Sequence, residues 1–371
     1  MSQLLDDRAL TERIFGHIEN KTTDMGEAPW REPVANYLSA DRLDAEMRVL
    51  RSAPVPFCPS SALSETGSYV ARDAAGTPIV AVRDRDGGVR AYRNACRHRG
   101  MRLADGTGCM KAFVCPYHGW SYSLDGALRH VPDEHGFPGL DRDAHGLASI
   151  AVREKGGLVF ISQEETPDFA ALDDIPDLVA PDQRIFATNE TLVDANWKIF
   201  LEGFIEGYHI RAAHPETFYP YGFDNLNVVE YFGANSRVTY PFKRIGKLAA
   251  VPPADRRVDG MVTLVYHLFP NALVTVLSSH TSLVVLEPVS LGQTRLVSYT
   301  MTNRPMGDRD AEEAARRDAA FVGQTGAAED REIVCAIQKG LASGANDVFT
   351  FGRFEGAIVH FHRELSQALE R

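Results

Sequence analysis

The sequence has no apolar run long enough to cross a membrane, and this absence sets a first limit on its function. Its longest apolar stretches, such as 272–277 and 283–286, are far shorter than the ~20 residues that a transmembrane helix needs. The N-terminal residues mix acids and bases with leucines and lack the apolar segment of a secretory signal. We therefore expect a cytoplasmic protein without a membrane partner.

Positive charge and cysteine are also in short supply. The chain of 371 residues carries 39 Lys and Arg against 50 Asp and Glu, a formal net charge of −11, which opposes binding to nucleic acid. Five cysteines without an export signal indicate reduced thiols rather than a disulfide framework. Cys58, Cys109 and Cys335 have no metal-like spacing, and we expect each to be a small buried apolar side chain.

Short strand-like runs and tight turns fill much of the first half of the chain. The runs 79–83 and 89–93 flank Asp86 and Gly87, a dipeptide that favours a hairpin turn. This pattern predicts an all-β domain over 47–165.

Helix and strand patterns alternate in the remaining sequence. A Pro- and Asp-rich connection precedes a long helix candidate over 196–208. Consecutive strand-like runs then follow, as is typical of an antiparallel sheet, at 262–268, 272–277, 281–286 and 294–301. We predict an α+β fold class, in which an N-terminal helical segment over 1–46, capped by Ser2, packs on an α+β domain over 166–371.

Two short motifs in the β-rich region each place one cysteine close to one histidine. Cys96 and His98 are separated by sixteen residues from Cys115 and His118. Two loops that each offer a thiolate and an imidazole can hold one tetrahedral zinc ion or a two-iron cluster. The spacing in Cys-x-His is too short for both side chains to bind the same ion comfortably. In a Rieske [2Fe-2S] centre the Cys and His of each loop bind different irons, so this objection does not apply. The spacing favours the Rieske cluster over zinc and over a chance grouping of the four residues.

Three arginines surround these loops on an otherwise acidic protein: Arg97, Arg99 and Arg102. Such a positive patch could form a docking rim for an acidic electron donor. The alternative is that these arginines are solvated or merely offset the charge of the cluster.

A second set of candidate metal ligands lies near the middle of the chain. On a helix Glu206 and His209 would share a face, because they are three residues apart. His214 lies five residues beyond His209, about 140° further around an unbroken helix, so both reach one ion only if the helix bends or ends between them. Pro215 favours such a break. Two histidines and a carboxylate form the facial triad of Fe(II) oxygenases.

From about residue 53 to the C-terminus, the two motifs together resemble the oxygenase (α) component of the Rieske non-haem iron ring-hydroxylating oxygenases. In that family an Asn-Trp-Lys triplet opens the iron-binding helix, like Asn196, Trp197 and Lys198 here. The resemblance implies a mononuclear Fe(II) in a helix-grip-like catalytic domain with an antiparallel sheet. It also implies a Rieske [2Fe-2S] cluster in the N-terminal β domain, bound by Cys96, His98, Cys115 and His118.

The resemblance places the third iron ligand, beside His209 and His214, on a helix near the C-terminus. Periodicity supports Asp330 independently, because it shares a face with apolar residues while Glu329 and Glu332 would point to solvent. A carboxylate on an apolar stripe is costly unless it is paired or bound to a metal, so we predict Asp330 as the ligand. Capping the helix N-terminus is its alternative role.

Glu206 receives a bridging role from the resemblance. In the family, the acid before Tyr-His links a cluster-ligating histidine of one subunit to an iron-ligating histidine of the next, in a head-to-tail homotrimer. Ring-hydroxylating members usually carry Asp at this position. With a glutamate there, this sequence is similar to the members that oxidise quaternary ammonium and N-methyl compounds. Glu206 and Asn196 are the expected catalytic residues beside the iron ligands.

We thus expect the oxygenase component of a multi-component enzyme. A partner reductase, with flavin, ferredoxin or both, would pass electrons from NAD(P)H, and O2 would hydroxylate a small aromatic substrate. One alternative is a monooxygenase that oxidises N-methyl, quaternary ammonium or O-methyl compounds with C–N or C–O cleavage. Another is a non-catalytic electron-transfer protein.

Four side chains near the predicted iron site are candidates for the substrate pocket. Leu201, Phe204 and Ile205 have the helical spacing of pocket-lining residues, which is also the spacing of ordinary core residues. His280 lies between two strand-like runs, where a histidine could face the pocket or the surface.

Overall fold

The computed structural model describes residues 4–304 and 309–371. Its contacts divide the chain into a β unit, Leu50–Pro181, and an α+β unit, Met1–Val49 with Asp182–Arg371. None of the helices within the described ranges is long and apolar enough to cross a membrane.

Helices belong mainly to the α+β unit. The first one begins at Asp7, where the Asp6 side chain caps it by accepting the Ala9 N–H at 2.8 Å; the predicted cap, Ser2, lies outside the described residues. The α-helices are α1 (Asp7–Asn20), α2 (Ala35–Leu38), α3 (Ala40–Ser52), α4 (Trp197–Phe204), α5 (Ile210–Ala213), α6 (Arg309–Gln324), α7 (Gly326–Leu341) and α8 (Gly356–Leu369).

Strands occur in both units. They are β1 (Trp30–Pro33), β2 (Val55–Pro59), β3 (Ser68–Ala74), β4 (Thr77–Arg83), β5 (Val89–Arg93), β6 (Gly106–Cys109), β7 (Phe113–Val114), β8 (Ser121–Tyr122), β9 (Leu128–His130), β10 (Ser149–Lys155), β11 (Leu158–Ser162), β12 (Ile185–Val193), β13 (Val228–Phe232), β14 (Asn235–Pro241), β15 (Val262–Leu268), β16 (Ala272–Val276), β17 (His280–Ser290), β18 (Gln293–Thr302) and β19 (Val348–Phe351).

The β unit consists of a seven-stranded sheet in the order β2-β11-β10-β5-β4-β3-β6 and a three-stranded sheet β7-β8-β9. The predicted hairpin is confirmed, since β4 and β5 pair antiparallel on either side of Gly87, whose φ is 85°. Residues up to Pro181 pack on this unit. Leu178 and Val179 both donate their N–H to Gly156 O, at 3.0 and 3.1 Å. The Pro- and Asp-rich connection that precedes β12, which we predicted as the start of the second domain, therefore belongs to the β unit.

A seven-stranded antiparallel sheet in the order β12-β18-β17-β16-β15-β14-β13 forms the α+β unit, and β1 pairs with β19 beside it. The four predicted strand runs correspond to β15–β18, while β12, β13 and β14 were not predicted. One core joins the sheet to α4, α7 and α8; its members include Trp197, Leu201, Val334, Phe361, Val265 and Leu286. The core therefore fixes α4 and α7, the helices that precede and carry candidate iron ligands.

Helix α4 ends at Phe204, so the expectation of a helix through Tyr208 is wrong. The Glu206 carboxylate accepts hydrogen bonds from the backbone N–H groups of Tyr208 and His209. These N–H groups are then not available for the hydrogen bonds that would continue the helix. A Cβ on Gly207 would collide with the Asn227 side chain, so a larger residue here requires Asn227 to move.

A buried ion pair holds the start of α4. Lys198 Nζ lies 2.8 and 2.9 Å from the two carboxylate oxygens of Glu46 on α3, and Trp197 Nε1 donates to the same carboxylate at 2.9 Å. Burial lowers the pKa of Lys198, and Glu46 opposes that change. Removing one partner of a fully buried pair typically costs about 3–5 kcal/mol, so this contact anchors the helix that leads into the site.

Candidate metal centres

Two loops of the β unit fold in the same way around Cys96 and Cys115. The carbonyl of each cysteine accepts the N–H of the glycine four residues later, Gly100 at 2.8 Å and Gly119 at 3.0 Å. Both glycines have a φ of 76°, and both cysteines are buried. The repeated turn presents a thiol to the interior from each loop, as a cluster with two cysteine ligands requires.

The two histidines of these loops lie side by side at a more exposed position. The ring centroids of His98 and His118 are 4.8 Å apart, and the His98 ring stacks on Trp120 at 4.9 Å. Burial, and then the charge of His118, lower the pKa of His98, which favours the neutral imidazole that a metal binds. Two thiols on one side and two imidazoles on the other fit a Rieske cluster.

Tyr122 belongs to this site but was not predicted. Its hydroxyl lies 3.2 Å from Cys96 Sγ and accepts the Arg97 N–H at 3.0 Å. Trp120 and Tyr122 are both buried and lie on either side of Ser121, where β8 begins, and this alternation of aromatic and polar residues is the sequence signal that would have identified them.

The structure divides the arginine patch. All three arginines are exposed, and Arg102 pairs with Asp73 at 2.8 Å, whereas Arg99 lies over the Tyr117 ring at 5.2 Å. The charge of Arg102 is therefore partly offset by a carboxylate of the protein.

The expectation that the other cysteines are buried holds for one of them. Cys58 is buried, and burial raises the pKa of its thiol to about 12. Cys335 is only partly buried, and Cys109 is exposed because it ends the edge strand β6.

His209, His214 and Asp330 converge in the α+β unit, and their candidate donor atoms all lie within 4.8 Å of one another. Asp330 Oδ1 is 3.7 Å from His209 Nε2 and 2.9 Å from His214 Nε2. Helix α4 ends at Phe204, before His209, and the short helix α5 then ends at Ala213, so a helix ends between the two histidines as predicted. His209 precedes α5 and His214 follows it, and the two rings meet edge to face with their centroids 5.2 Å apart.

A carboxylate holds the far side of each imidazole. Glu206 binds His209 Nδ1, and Glu329 Oε2 lies 2.7 Å from His214 Nδ1 and accepts the Thr217 hydroxyl at 2.7 Å. The prediction that Glu329 points to solvent is wrong, because α7 turns both Glu329 and Asp330 toward His214. With Nδ1 bound, each histidine directs Nε2 toward Asp330.

The donor set fits a divalent metal. His214 Nε2 is buried and has no aligned hydrogen-bond partner within the part of the chain that the structure describes. Burial opposes protonation of His214, but the carboxylates of Asp330 and Glu329 outweigh it and raise its pKa. A cluster of negative carboxylates around two imidazoles is stabilised by a cation, and two nitrogens with one oxygen are typical ligands of non-haem Fe(II).

A cavity of about 390 Å³ opens beside all three of these residues. Several aromatic side chains line its wall: Phe204, Phe218, Tyr221, Phe223, Tyr240, Phe242 and Phe321. The prediction that Phe204 lines the pocket is confirmed, whereas Leu201 and Ile205 lie in the core. His280 is buried at the start of β17, with Nδ1 3.0 Å from Asp318 Oδ2, and it is Asp318 that lines the cavity.

Asn196 occupies the N-cap of α4. Its side-chain oxygen accepts the Lys198 N–H at 3.1 Å, and its amide donates to the Tyr37 and Leu291 carbonyls at 3.2 and 3.0 Å. These bonds position the helix, and Asn196 does not line the cavity, so the geometry supports a structural role rather than the predicted catalytic one.

A β unit with a cysteine–histidine loop pair, joined in one chain to a two-histidine, one-carboxylate site, defines a non-haem iron oxygenase component served by an iron–sulfur cluster. Residues 53–148 match the Rieske [2Fe-2S] domain, and residues 172–371 match the ring hydroxylating alpha subunit (catalytic domain). The chain belongs to this alpha-subunit family. Its cofactors are a Rieske [2Fe-2S] cluster and a mononuclear iron, and it requires a reductase partner and O2.

Among characterised proteins, the chain is 28% identical to the carnitine monooxygenase oxygenase subunit of Escherichia coli, over 95% of this chain and 97% of that protein. It is also 28% identical to the glycine betaine monooxygenase oxygenase subunit of Chromohalobacter salexigens, over 80% of this chain and 76% of that protein. A solved quaternary ammonium Rieske monooxygenase in complex with L-carnitine has the same fold, with a TM-score of 0.78, 22% identity and coverage of 92% and 96%.

Proposed function

We propose that the chain is the oxygenase component of a monooxygenase that oxidises a quaternary ammonium or N-methyl compound at a carbon next to nitrogen. The aromatic cavity beside the triad carries this proposal. Phe218 lies 4.8 Å from the His214 ring, and Phe321 lies 6.3 Å from both Phe218 and Tyr221. A quaternary ammonium ion has no N–H to donate and is bound through aromatic faces.

Charged groups in the cavity favour this substrate over an aromatic hydrocarbon ring. Asp318 and Arg244 both line the wall, and they would lose hydration against a wholly apolar ligand without compensation. Asp318 stays ionised: burial opposes ionisation, but the hydrogen bond and charge of His280, the Ser279 N–H and the charge of Arg244 together outweigh it and lower the pKa of Asp318. A cation would be attracted to this carboxylate. The glutamate at position 206 and the relatives named for carnitine and glycine betaine support the same choice.

The proposed division of work follows from the contacts. His209, His214 and Asp330 would hold the iron, which supplies O2 activation when bound, with electrons delivered by the cluster that Cys96, His98, Cys115 and His118 would bind. Glu206 and Glu329 keep each Nδ1 engaged, so that Nε2 remains the ligand atom. The aromatic wall excludes water and places a methyl group toward the triad.

We also infer a homotrimer in which Glu206 lies at the contact between subunits. Its carboxylate binds the Nδ1 of His209 within one chain, which supplies the iron side of the bridge implied by the family. Sedimentation of the native protein at the mass of three chains is the expected result.

The experiment is turnover with a surrogate reductase, NADH and a panel of N-methylated amines and aromatic acids, with O2 uptake measured against product. We expect N-methylated amines to react and aromatic acids to fail. His209→Ala should abolish product and keep the cluster absorbance, while His135→Ala, at an exposed histidine, should change neither. Turnover of aromatic acids alone, or turnover by His209→Ala, would contradict the proposal.

A further inference from the structure

Arg244 is an exposed cation that lines the aromatic cavity. Its Nε donates to Gly260 O at 2.6 Å, its Nη2 donates to Ser278 Oγ at 2.6 Å, and its guanidinium lies 4.5 Å from the Phe242 ring centroid. Backbone, hydroxyl and ring contacts thus hold the side chain in one orientation before any ligand arrives. A guanidinium has five N–H groups, so those on Nη1 and the second one on Nη2 remain for a ligand.

The guanidinium of Arg244 has no direct ion-pair partner among the described residues, although its charge acts on Asp318 and helps to lower the pKa of that carboxyl. No carboxylate lies within ion-pair distance of Arg244 in residues 4–304 or 309–371. Asp318, which shares the cavity wall, is engaged elsewhere, because its Oδ2 accepts the Ser279 N–H and binds His280 Nδ1, both at 3.0 Å. A guanidinium whose direct contacts are all with neutral groups can bind an anion, and its free N–H groups match a carboxylate.

We propose that Arg244 binds the carboxylate of a zwitterionic substrate whose ammonium group rests on the aromatic wall beside His214. This inference rests on the proposed function and narrows it to trimethylammonium carboxylates. Ser278 acts as a positioning residue, since it touches Arg244 and holds the guanidinium. In this arrangement Phe218 and Phe321 receive the cation, the methyl groups face the triad, and Arg244 fixes the other end of the molecule.

Glycine betaine and choline form a matched pair of probes, because they share the trimethylammonium group and differ in a carboxylate against a hydroxymethyl group. The iron-loaded protein with an oxidised cluster should bind glycine betaine or carnitine at least tenfold more tightly than choline. Loss of a charge-assisted, bidentate contact corresponds to a roughly 10- to 100-fold weaker complex.

The test measures Kd by calorimetry and turnover for each probe in four variants. Arg244→Gln should raise the Kd and KM of the zwitterion by about 10- to 100-fold and leave those of choline within about twofold, with kcat less affected. Arg244→Lys should lie between, because it keeps the charge and loses the fork. Ser278→Ala should weaken zwitterion binding by less than Arg244→Gln. Lys247→Gln removes an exposed cation from the same segment outside the cavity and should change nothing.

The outcomes separate this inference from the function on which it rests. If choline is oxidised as well as the zwitterions, or if Arg244→Gln weakens both probes equally, the carboxylate site is refuted and the monooxygenase assignment stands. If no quaternary ammonium compound is bound or oxidised by the wild type, both are refuted.

Discussion

Glu329→Ala removes the carboxylate behind His214 and tests whether α7 supplies two acids to the iron site. Glu329 accepts from His214 Nδ1 and from Thr217, both at 2.7 Å, so the substitution frees the imidazole to rotate and to change tautomer. Loss of such a partner typically lowers metal affinity about 10- to 100-fold, which corresponds to about 1.4–2.8 kcal/mol. Glu329→Gln keeps an acceptor and should lose less.

The assay is competition for Fe(II) between the protein and a chelator under anaerobic conditions, with the cluster absorbance recorded in the same sample. Glu332→Ala is the matched control, because Glu332 is an exposed acid one turn along the same helix. We expect weaker iron binding with an unchanged cluster in Glu329→Ala alone. Equal iron affinity in the Glu329 and Glu332 variants would refute the assignment of Glu329 to the site.

Three further predictions concern other parts of the molecule. Burial, and then neighbouring carboxylates, raise the pKa of Glu355 to about 7. Because this pKa lies above its value in the unfolded chain, the free energy of unfolding of the wild type should fall as pH rises from about 4.5 through about 7. Urea unfolding should show a loss of up to about 3 kcal/mol relative to Glu355→Gln. Tyr122→Phe removes the hydroxyl next to Cys96 Sγ and should lower the cluster potential by tens of millivolts in redox titration, whereas an unchanged potential would contradict that contact. A Cβ at Gly326 would lie 2.0 Å from the Phe218 ring, so Gly326→Ala should push this ring toward the cavity and raise KM, and wild-type kinetics would contradict this packing.

Features that are contiguous in the sequence, or that follow a regular period of apolar residues, were predicted best. The Cys-His loops lie within one β unit, and the buried strands β15 to β18 follow their apolar runs to within a few residues. The end of α4 could not be predicted from periodicity, because a side chain, Glu206, takes the backbone donors of the next turn. Glu329 was assigned to solvent for a related reason. The helical periodicity indicates only whether a residue shares a face with apolar residues, and it does not show that His214 contacts both Glu329 and the adjacent Asp330.

The charged cavity residues outside the iron site were missed because they come from segments without a motif. Arg244 lies in a short 3-10 segment after β14 and Asp318 lies on α6, and neither has a characteristic spacing from the iron ligands. Only the folded sheet brings them to one wall. The charged groups of the cavity were therefore found only in the structure, whereas the class of enzyme, and through Glu206 the quaternary ammonium alternative, could be inferred from the sequence.

The positions of the metal ligands in the sequence have a consequence for biosynthesis. The four cluster ligands all precede Pro181, whereas the iron site needs Asp330, and its supporting helix α4 needs Glu46 and the C-terminal helix. At about 5–20 residues per second, a ribosome takes on the order of 10 s or more to add the residues beyond the β unit. The iron–sulfur centre can therefore mature on the nascent polypeptide, while Fe(II) must wait for nearly the whole chain to be made.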